Sequence, residues 1–388
     1  MTTRAKLSSG GEEEYSGSED EYSEEEERHN SEYYEYTETD DSWSDRGIEE
    51  PLEDVPPKAP LVNLVRFVPW SIEHDATLKE VRVIFAHCFN IGELKVPLTH
   101  IRNDEDAVAR VIANACPRIT VLSYFAMGVN PDFDDIIMFK ILGHLPAQQV
   151  RMITLRSLHL ESEITIPSRA FQAILQECRG LEGLYVHSES RLNDFYITLE
   201  DAVSGAWVCS RIRHLDIIVG FKELTAGPKG LLYYARESPL VLSAEETEQF
   251  VMLEALYRQL GALRDLKYLF IRASTLGTRH RRFENTTLPA MLSLGDPINN
   301  RPRHLDLLKG LMKLQILRGS VLLDTKEAKA TIDEQEAVWI GEHWLKLREA
   351  DIFRYSQQIE GPFKQLRRTC RHLGRHVNFN SKRWHLRY

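Results

Sequence analysis

Apolar side chains recur along this chain in a short block that returns at a fixed interval. With the first aliphatic of the block as position zero, apolar residues come back at +3 and +5, as in Leu181, Leu184 and Val186 or Ile212, Leu215 and Ile217. Positions +2 to +6 therefore alternate, the period of a strand with one buried face. Ahead of each block lies a stretch with helical spacing. Phe171, Ile174, Leu175 and Cys178 stand at i, i+3, i+4 and i+7, which is one face of a helix, and Asp106–Ala113 reads the same way. Position zero falls at Ile91, Ile119, Val150, Leu181, Ile212, Leu266, Leu314 and Leu347, with Leu373 as a ninth candidate. Ile119, Val150, Leu181 and Ile212 are each 31 residues apart. Such a period predicts a solenoid, because one helix–strand unit cannot bury its own apolar side and neighbours must share a core. Position −3 is apolar in every unit, and all five cysteines (Cys88, Cys116, Cys178, Cys209 and Cys370) occupy it.

The blocks Leu181-x-x-Leu184-x-Val186 and Leu266-x-x-Leu269-x-Ile271 resemble the leucine-rich repeat in its longer, helix-bearing, ribonuclease-inhibitor-like form. The Asn or Cys that many such repeats place after the strand is not kept; the cysteine precedes the strand instead. Within that class, helix–Cys–Leu–strand units separated by longer inserts are similar to the repeat regions of fungal F-box-like proteins, over roughly residues 61–388. The resemblance implies an α/β fold, a leucine-rich-repeat solenoid (horseshoe) with a parallel concave sheet and outer helices. It also implies a substrate receptor of a ubiquitin ligase, with a ligase adaptor as a further partner. An F-box would be a short helical module ahead of the repeats, and none is recognisable. Val68-Pro-Trp70 and Val81–Phe85 read as loop and strand.

Two spacings exceed the period, 54 residues from Ile212 to Leu266 and 48 from Leu266 to Leu314. They predict inserts near 221–243 and 274–302, open to reading as plain surface loops or as binding elements. With +3 and +5 facing the core, +2, +4 and +6 face outward. That places Phe125, Arg156, Tyr185, His187, His214, Tyr268, Phe270 and Arg272 on the concave face. Aromatics mixed with arginine are the composition of protein-binding hot spots, although strands favour aromatics in any case. These eight are the candidate protein-binding residues.

Composition adds a second region. Residues 1–57 hold 20 Asp/Glu against four Lys/Arg, while the other 331 residues hold 38 and 44, within a net charge of −10. So few aliphatics at such charge density cannot offset ordering entropy, so 1–57 is expected to be a disordered acidic arm and 58–388 the repeat domain. Ser18 and Ser23 precede acidic runs, which suits acid-directed kinases or a plain solubilising tail. Lys364–Tyr388 carries eight Lys/Arg and no acid. A polar cap on the last repeat is the preferred reading; a nucleic-acid patch or a landing site for the arm are the alternatives. A nucleic-acid-associated scaffold is thus the rival function, with nucleic acid not the expected partner.

Chemistry is mostly missing from the pattern. The sequence has no phosphate loop, GxGxxG, HExxH or GxSxG, and no CxxC pair among five cysteines. His372 and His376 are four apart but lack a third soft ligand. No catalytic residue, cofactor or metal is expected. Unpaired cysteines suit a reducing compartment, and neither a signal peptide nor an 18-residue apolar run is present. The expectation is a non-enzymatic, cytoplasmic or nuclear protein-recognition module that does not enter membranes.

Overall fold

The computed structural model describes residues 65–353 other than 68–77, 98–104, 127–136, 158–167, 189–195, 223–240, 277–287, 296–297, 299–302 and 323–333, and Arg368 beyond them. The chain divides into two units, Met1–Val55 and Pro56–Tyr388, and every described residue belongs to the second. The acidic arm, Val68–Trp70, Cys370, Leu373, His372, His376 and the basic segment after Lys364 (Arg368 apart) lie outside the described residues.

Eight strands begin two residues after the eight predicted zero positions. They are β2 (Glu93–Pro97), β3 (Val121–Ala126), β4 (Met152–Ser157), β5 (Gly183–Ser188), β7 (His214–Lys222), β8 (Tyr268–Leu276), β9 (Ile316–Leu322) and β10 (Glu349–Phe353). Two short strands join them, β1 (Arg66–Phe67) before β2 and β6 (Ile197–Thr198) beside β7. All pairs are parallel, in the order β1-β2-β3-β4-β5-β7-β8-β9-β10, with β6 hydrogen-bonded to β7 off this path. Between strands run α1 (Leu78–Ala86), α2 (Glu105–Ala115), α3 (Ile137–His144), α4 (Ser168–Glu177), α5 (Leu199–Val203), α6 (Ala244–Ala262), a 3₁₀ helix (Leu305–Gly310) and α7 (Glu334–His343). Consecutive helix–strand units stacked on an open parallel sheet make a leucine-rich-repeat-like arrangement.

The register is that of the sequence period. Leu122, Ile153, Leu184, Leu215, Leu269 and Leu317, all at +3, lie side by side across the sheet and are buried with Ala170, Phe171, Ile174 and Leu175 of α4 and their counterparts in other helices. Burying one such aliphatic contributes about 1.5–3 kcal/mol, which a lone unit could not collect.

The turn between helix and strand explains the cysteines. In seven units the N–H of position zero donates to the carbonyl of −3, from Ile91 to Cys88 at 3.1 Å through Leu347 to Trp344 at 3.0 Å. Residue −3 therefore turns its side chain into the core while its carbonyl closes the turn, a place filled by cysteine in four of the seven units, leucine in two and Trp344 in one. Cys88, Cys116, Cys178 and Cys209 are all buried there. Burial pushes the thiols of Cys116, Cys178 and Cys209 up to about 12. The Val150 unit departs from the rule. Its turn closes one residue early, Gln149 N–H to Pro146 O at 2.8 Å, since Pro146 has no N–H to extend α3 and presets the bend. Ala147 is accordingly exposed, and Leu145 fills the core.

Three expectations change. Val81–Phe85, read as a strand, is the body of α1; Val81, Ile84, Phe85 and Cys88 form a helical stripe, with Val81, Phe85 and Cys88 fully buried, and helical spacing over seven residues outweighs β-branched propensity. The described part of the second long spacing is core rather than surface loop. Leu288, Met291 and Leu292 are buried, and Pro289 O accepts from the Tyr257 hydroxyl at 2.8 Å. Ile218, expected on the outward face, is 0% exposed, because β7 is covered on both faces, as its unbroken apolar run Ile217-Ile218-Val219 implies. Among the described residues, no helix is long and apolar enough to cross a membrane.

Candidate functional site

The face of the sheet turned away from the helices carries its most distinctive side chains on β5, β7 and β8. Position +2 is Gly183, His214 and Tyr268 on these strands, paired in register. Position +4 adds Tyr185, Asp216 and Phe270, and +6 adds Arg272. The imidazole of His214 stacks on Tyr268 at 4.3 Å between centroids and 13°, and on Tyr185 at 5.8 Å and 29°. Three rings thus run across three strands. Tyr185 reaches His214 because Gly183 leaves the space beneath it. A Cβ at Gly183 would stand 3.0 Å from Tyr185 Cε2 and 2.9 Å from Met152 Sδ.

The stack disfavours the charged form of His214. Burial holds its pKa below the ordinary value, and the charges of Lys267 and Arg213 push the same way. Burial likewise raises Tyr185, helped by Tyr268 and Asp216. All five rings and cations of the cluster (Tyr185, His214, Tyr268, Phe270, Arg272) are half-buried, so each keeps some of its surface in water.

A break in the sheet lies beneath them. β5 and β7 pair only at Gly183–His214 and Leu184–Leu215, after which β6 takes the edge of β7 at Val219 and Gly220. The backbone of Val186 loses its strand partner there. Side chains replace it: the Val186 N–H donates to the Asp216 carboxylate, and Arg272 Nη2 donates to Val186 O at 3.2 Å and Asp216 Oδ1 at 3.3 Å. Arg272 Cζ also rests 4.7 Å over the Phe270 ring. Asp216 is 8% exposed, and burial pushes its pKa up to about 7 against the opposing pull of Arg272 and the Val186 N–H.

Of the eight predicted residues, Tyr185, His214, Tyr268, Phe270 and Arg272 come together in this cluster. Phe125, Arg156 and His187 are Cα partners in one row across β3, β4 and β5, but their side chains lie outside the described residues. Asp216 escaped selection as a site residue, though an acid inside His-Leu-Asp-Ile-Ile-Val is a signal that a buried cation must be near. Arg318, whose Nε and Nη2 both donate to Glu349 Oε1 at 3.0 and 2.7 Å, extends the polar side of the cluster toward β10. Among the described residues no group of three or more His, Cys, Asp or Glu is placed to hold a metal ion.

No family model matches the chain, and no curated protein does. Eighteen chains of solved structures match. One is described as the crystal structure of a TLR13–ssRNA13 complex, at 11% identity and a TM-score of 0.28, over 77% of this chain and 42% of that one. This chain thus spans less than half the length of that neighbour.

Proposed function

We propose that the repeat domain is a non-enzymatic recognition module that holds a protein partner on the face of its sheet turned away from the described helices. The observation that carries this reading is the ring row Tyr185–His214–Tyr268 beside the Phe270–Arg272 pair. Rings already stacked on each other and a guanidinium already held by two hydrogen bonds lose little entropy when a partner arrives, and preorganised aromatic and Arg side chains are what dominate interface energetics. Phe125, Arg156 and His187 extend the proposed surface along the adjoining row. A narrower version, a substrate receptor for a ubiquitin ligase acting in the cytoplasm or nucleus, rests on the F-box-like resemblance.

The test is affinity capture from lysate with the wild type and a Tyr185→Ala/Phe270→Ala variant, each first shown to unfold at the same urea concentration. Loss of specific interactors by roughly tenfold or more is expected for the variant, as for truncation of hot-spot anchors. Equal recovery of every interactor by both proteins overturns the proposal. Co-capture of a ligase adaptor separates the narrower version from the broader one.

A further inference from the structure

The turns that start the strands form a second surface, apart from the face that carries the ring cluster. The residue at +1 of each unit is hydrogen-bonded to the +1 residue of the next: Arg151 N to Thr120 O, Glu182 N to Arg151 O, Arg213 N to Glu182 O, Lys267 N to Arg213 O, Gln315 N to Lys267 O and Arg348 N to Gln315 O, all at 2.7–2.9 Å. These backbones therefore run in one unbroken file along the edge of the sheet, one unit about every 4.8 Å. Positions −2 and −1, the two central residues of each turn, border the file. Arg118, Arg211, Lys313 and Lys346 at −1 are all exposed, as are Arg179 and Arg264 at −2. Across positions −2 to +1 of the eight units the edge holds ten Lys/Arg and two acids, Glu182 and Asp265.

The two acids show what such a file does when charges are balanced. Glu182 sits between Arg151 and Arg213, at 3.8 and 3.6 Å, and Asp265 holds Lys313 at 2.5 Å. The remaining cations outnumber them, and neighbouring like charges at this spacing repel by roughly 1 kcal/mol per pair even in water. A polyanion laid along the edge would remove that repulsion. Two exposed apolar side chains decide its kind. Met312 and Leu345, 60% and 56% exposed, both occupy position −2, in adjacent units, each immediately followed by a lysine. A phosphodiester backbone offers nothing to them, and no aromatic except Phe89 stands at these turn positions to stack a base. An acidic polypeptide segment with interspersed aliphatic residues satisfies both halves of the pattern.

We infer that this cationic edge, from Arg151 to Arg348, is a docking strip for an extended acidic segment of a partner protein whose apolar side chains seat on Met312 and Leu345. The experiment uses the full chain and fluorescence anisotropy. Its ligands are a synthetic peptide of about six Glu-Glu-Leu repeats, the matching Glu-Glu-Ser peptide and a thymidine oligonucleotide of similar extended length. Expected is saturable binding of the leucine peptide that falls steeply between about 0.05 and 0.5 M salt. Arg213→Glu/Lys267→Glu should weaken it roughly tenfold. Met312→Ser/Leu345→Ser should remove the preference for leucine over serine. Arg258→Glu, an exposed cation on α6, should leave binding unchanged, which distinguishes the strip from net charge alone. Unchanged binding after the double charge reversal in a variant that unfolds like wild type overturns the inference. Tighter binding of the oligonucleotide than of the leucine peptide overturns it in favour of nucleic acid. None of these variants replaces a ring of the cluster, but Arg213 and Lys267 act on His214. The Met312→Ser/Leu345→Ser result, remote from that charge, is therefore the one that separates failure of this inference from failure of the Tyr185/Phe270 test.

Discussion

The stretch from β3 to β5 and the stretch from β7 to β9 are built from the same unit and differ in how completely the unit is repeated. In the first, zero positions are 31 residues apart and the strands pair along six consecutive residues at each junction. In the second, spacings stretch to 54 and 48; β7 and β8 still pair along nine residues, but β8 meets β9 at three. At the boundary between the two stretches β5 meets β7 at only two, despite a spacing of 31. Where pairing is complete the backbone satisfies itself, and the outward side chains Ser123 and Thr154 are small. Where pairing fails, Asp216 and Arg272 take over the hydrogen bonds of Val186, and the stacked rings gather around them. Specialised chemistry sits where the repeat lapses, because only there must side chains stand in for a missing strand.

The contrast is broken most strongly by removing one member of the ion pair. Arg272→Ala is expected to cost about 3–5 kcal/mol at pH 8, since it leaves Asp216 buried without a counter-charge, against about 0.5 kcal/mol or less for Thr154→Ala. Thr154 holds in the regular block the +4 position that Asp216 holds in its own unit. Urea unfolding of the two variants measures both. Glycines provide the next comparison, with opposite signs. Gly319 holds a φ of +86° in β9 and its Cβ would strike the Ile271 carbonyl oxygen, so Gly319→Ala should destabilise by about 1–3 kcal/mol. Gly143 in α3 has nothing within 4 Å of a built Cβ, so Gly143→Ala should stabilise by about 0.5–1 kcal/mol.

A pH series sharpens the same point. Asp216 titrates at about 7 in the folded chain and at about 3.9 unfolded, so the native state holds the proton more firmly. Its contribution to stability is complete below about 3.9 and is lost as pH rises toward 7. Wild type should therefore lose stability over that window relative to Asp216→Asn, in which the slope from this group is gone; parallel curves would contradict the burial argument. The smallest effect concerns the thiols. With Cys116, Cys178 and Cys209 at about 12 and Cys88 raised by burial, at most one of the five cysteines should react with a thiol reagent at pH 8 before unfolding, and all five afterwards.

The fold is legible because the pattern is redundant. Eight zero positions each announce a strand two residues later, and an error in one unit is corrected by its neighbours in register. Val81–Phe85 misleads because its β-branched run resembles a strand until the stripe is followed through to Cys88. Ring positions on the open face follow from alternation alone, which is why Tyr185, His214, Tyr268, Phe270 and Arg272 can be named from the sequence. The lapse between β5 and β7 cannot be foreseen that way, since the sequence period passes through Leu181 and Ile212 without interruption while the strands separate after Leu184 and Leu215. Pairing beyond the first rungs depends on β6, a two-residue strand too short to leave a periodic trace.

The tight turn before each strand has a further consequence for how such a chain can change length over generations. Because the bond from position zero to −3 restarts the alignment in seven of the eight units, and a turn one residue earlier does so in the Val150 unit, extra residues added between a strand's end and the next helix leave later rows untouched. The 54- and 48-residue gaps already illustrate this, since Tyr268 and Ile316 still fall opposite His214 and Tyr268. A single deletion inside the turn would have the reverse outcome, inverting inside and outside for one whole rung. New ornament can therefore accumulate freely on the loops, while the few residues around each restart point tolerate almost none.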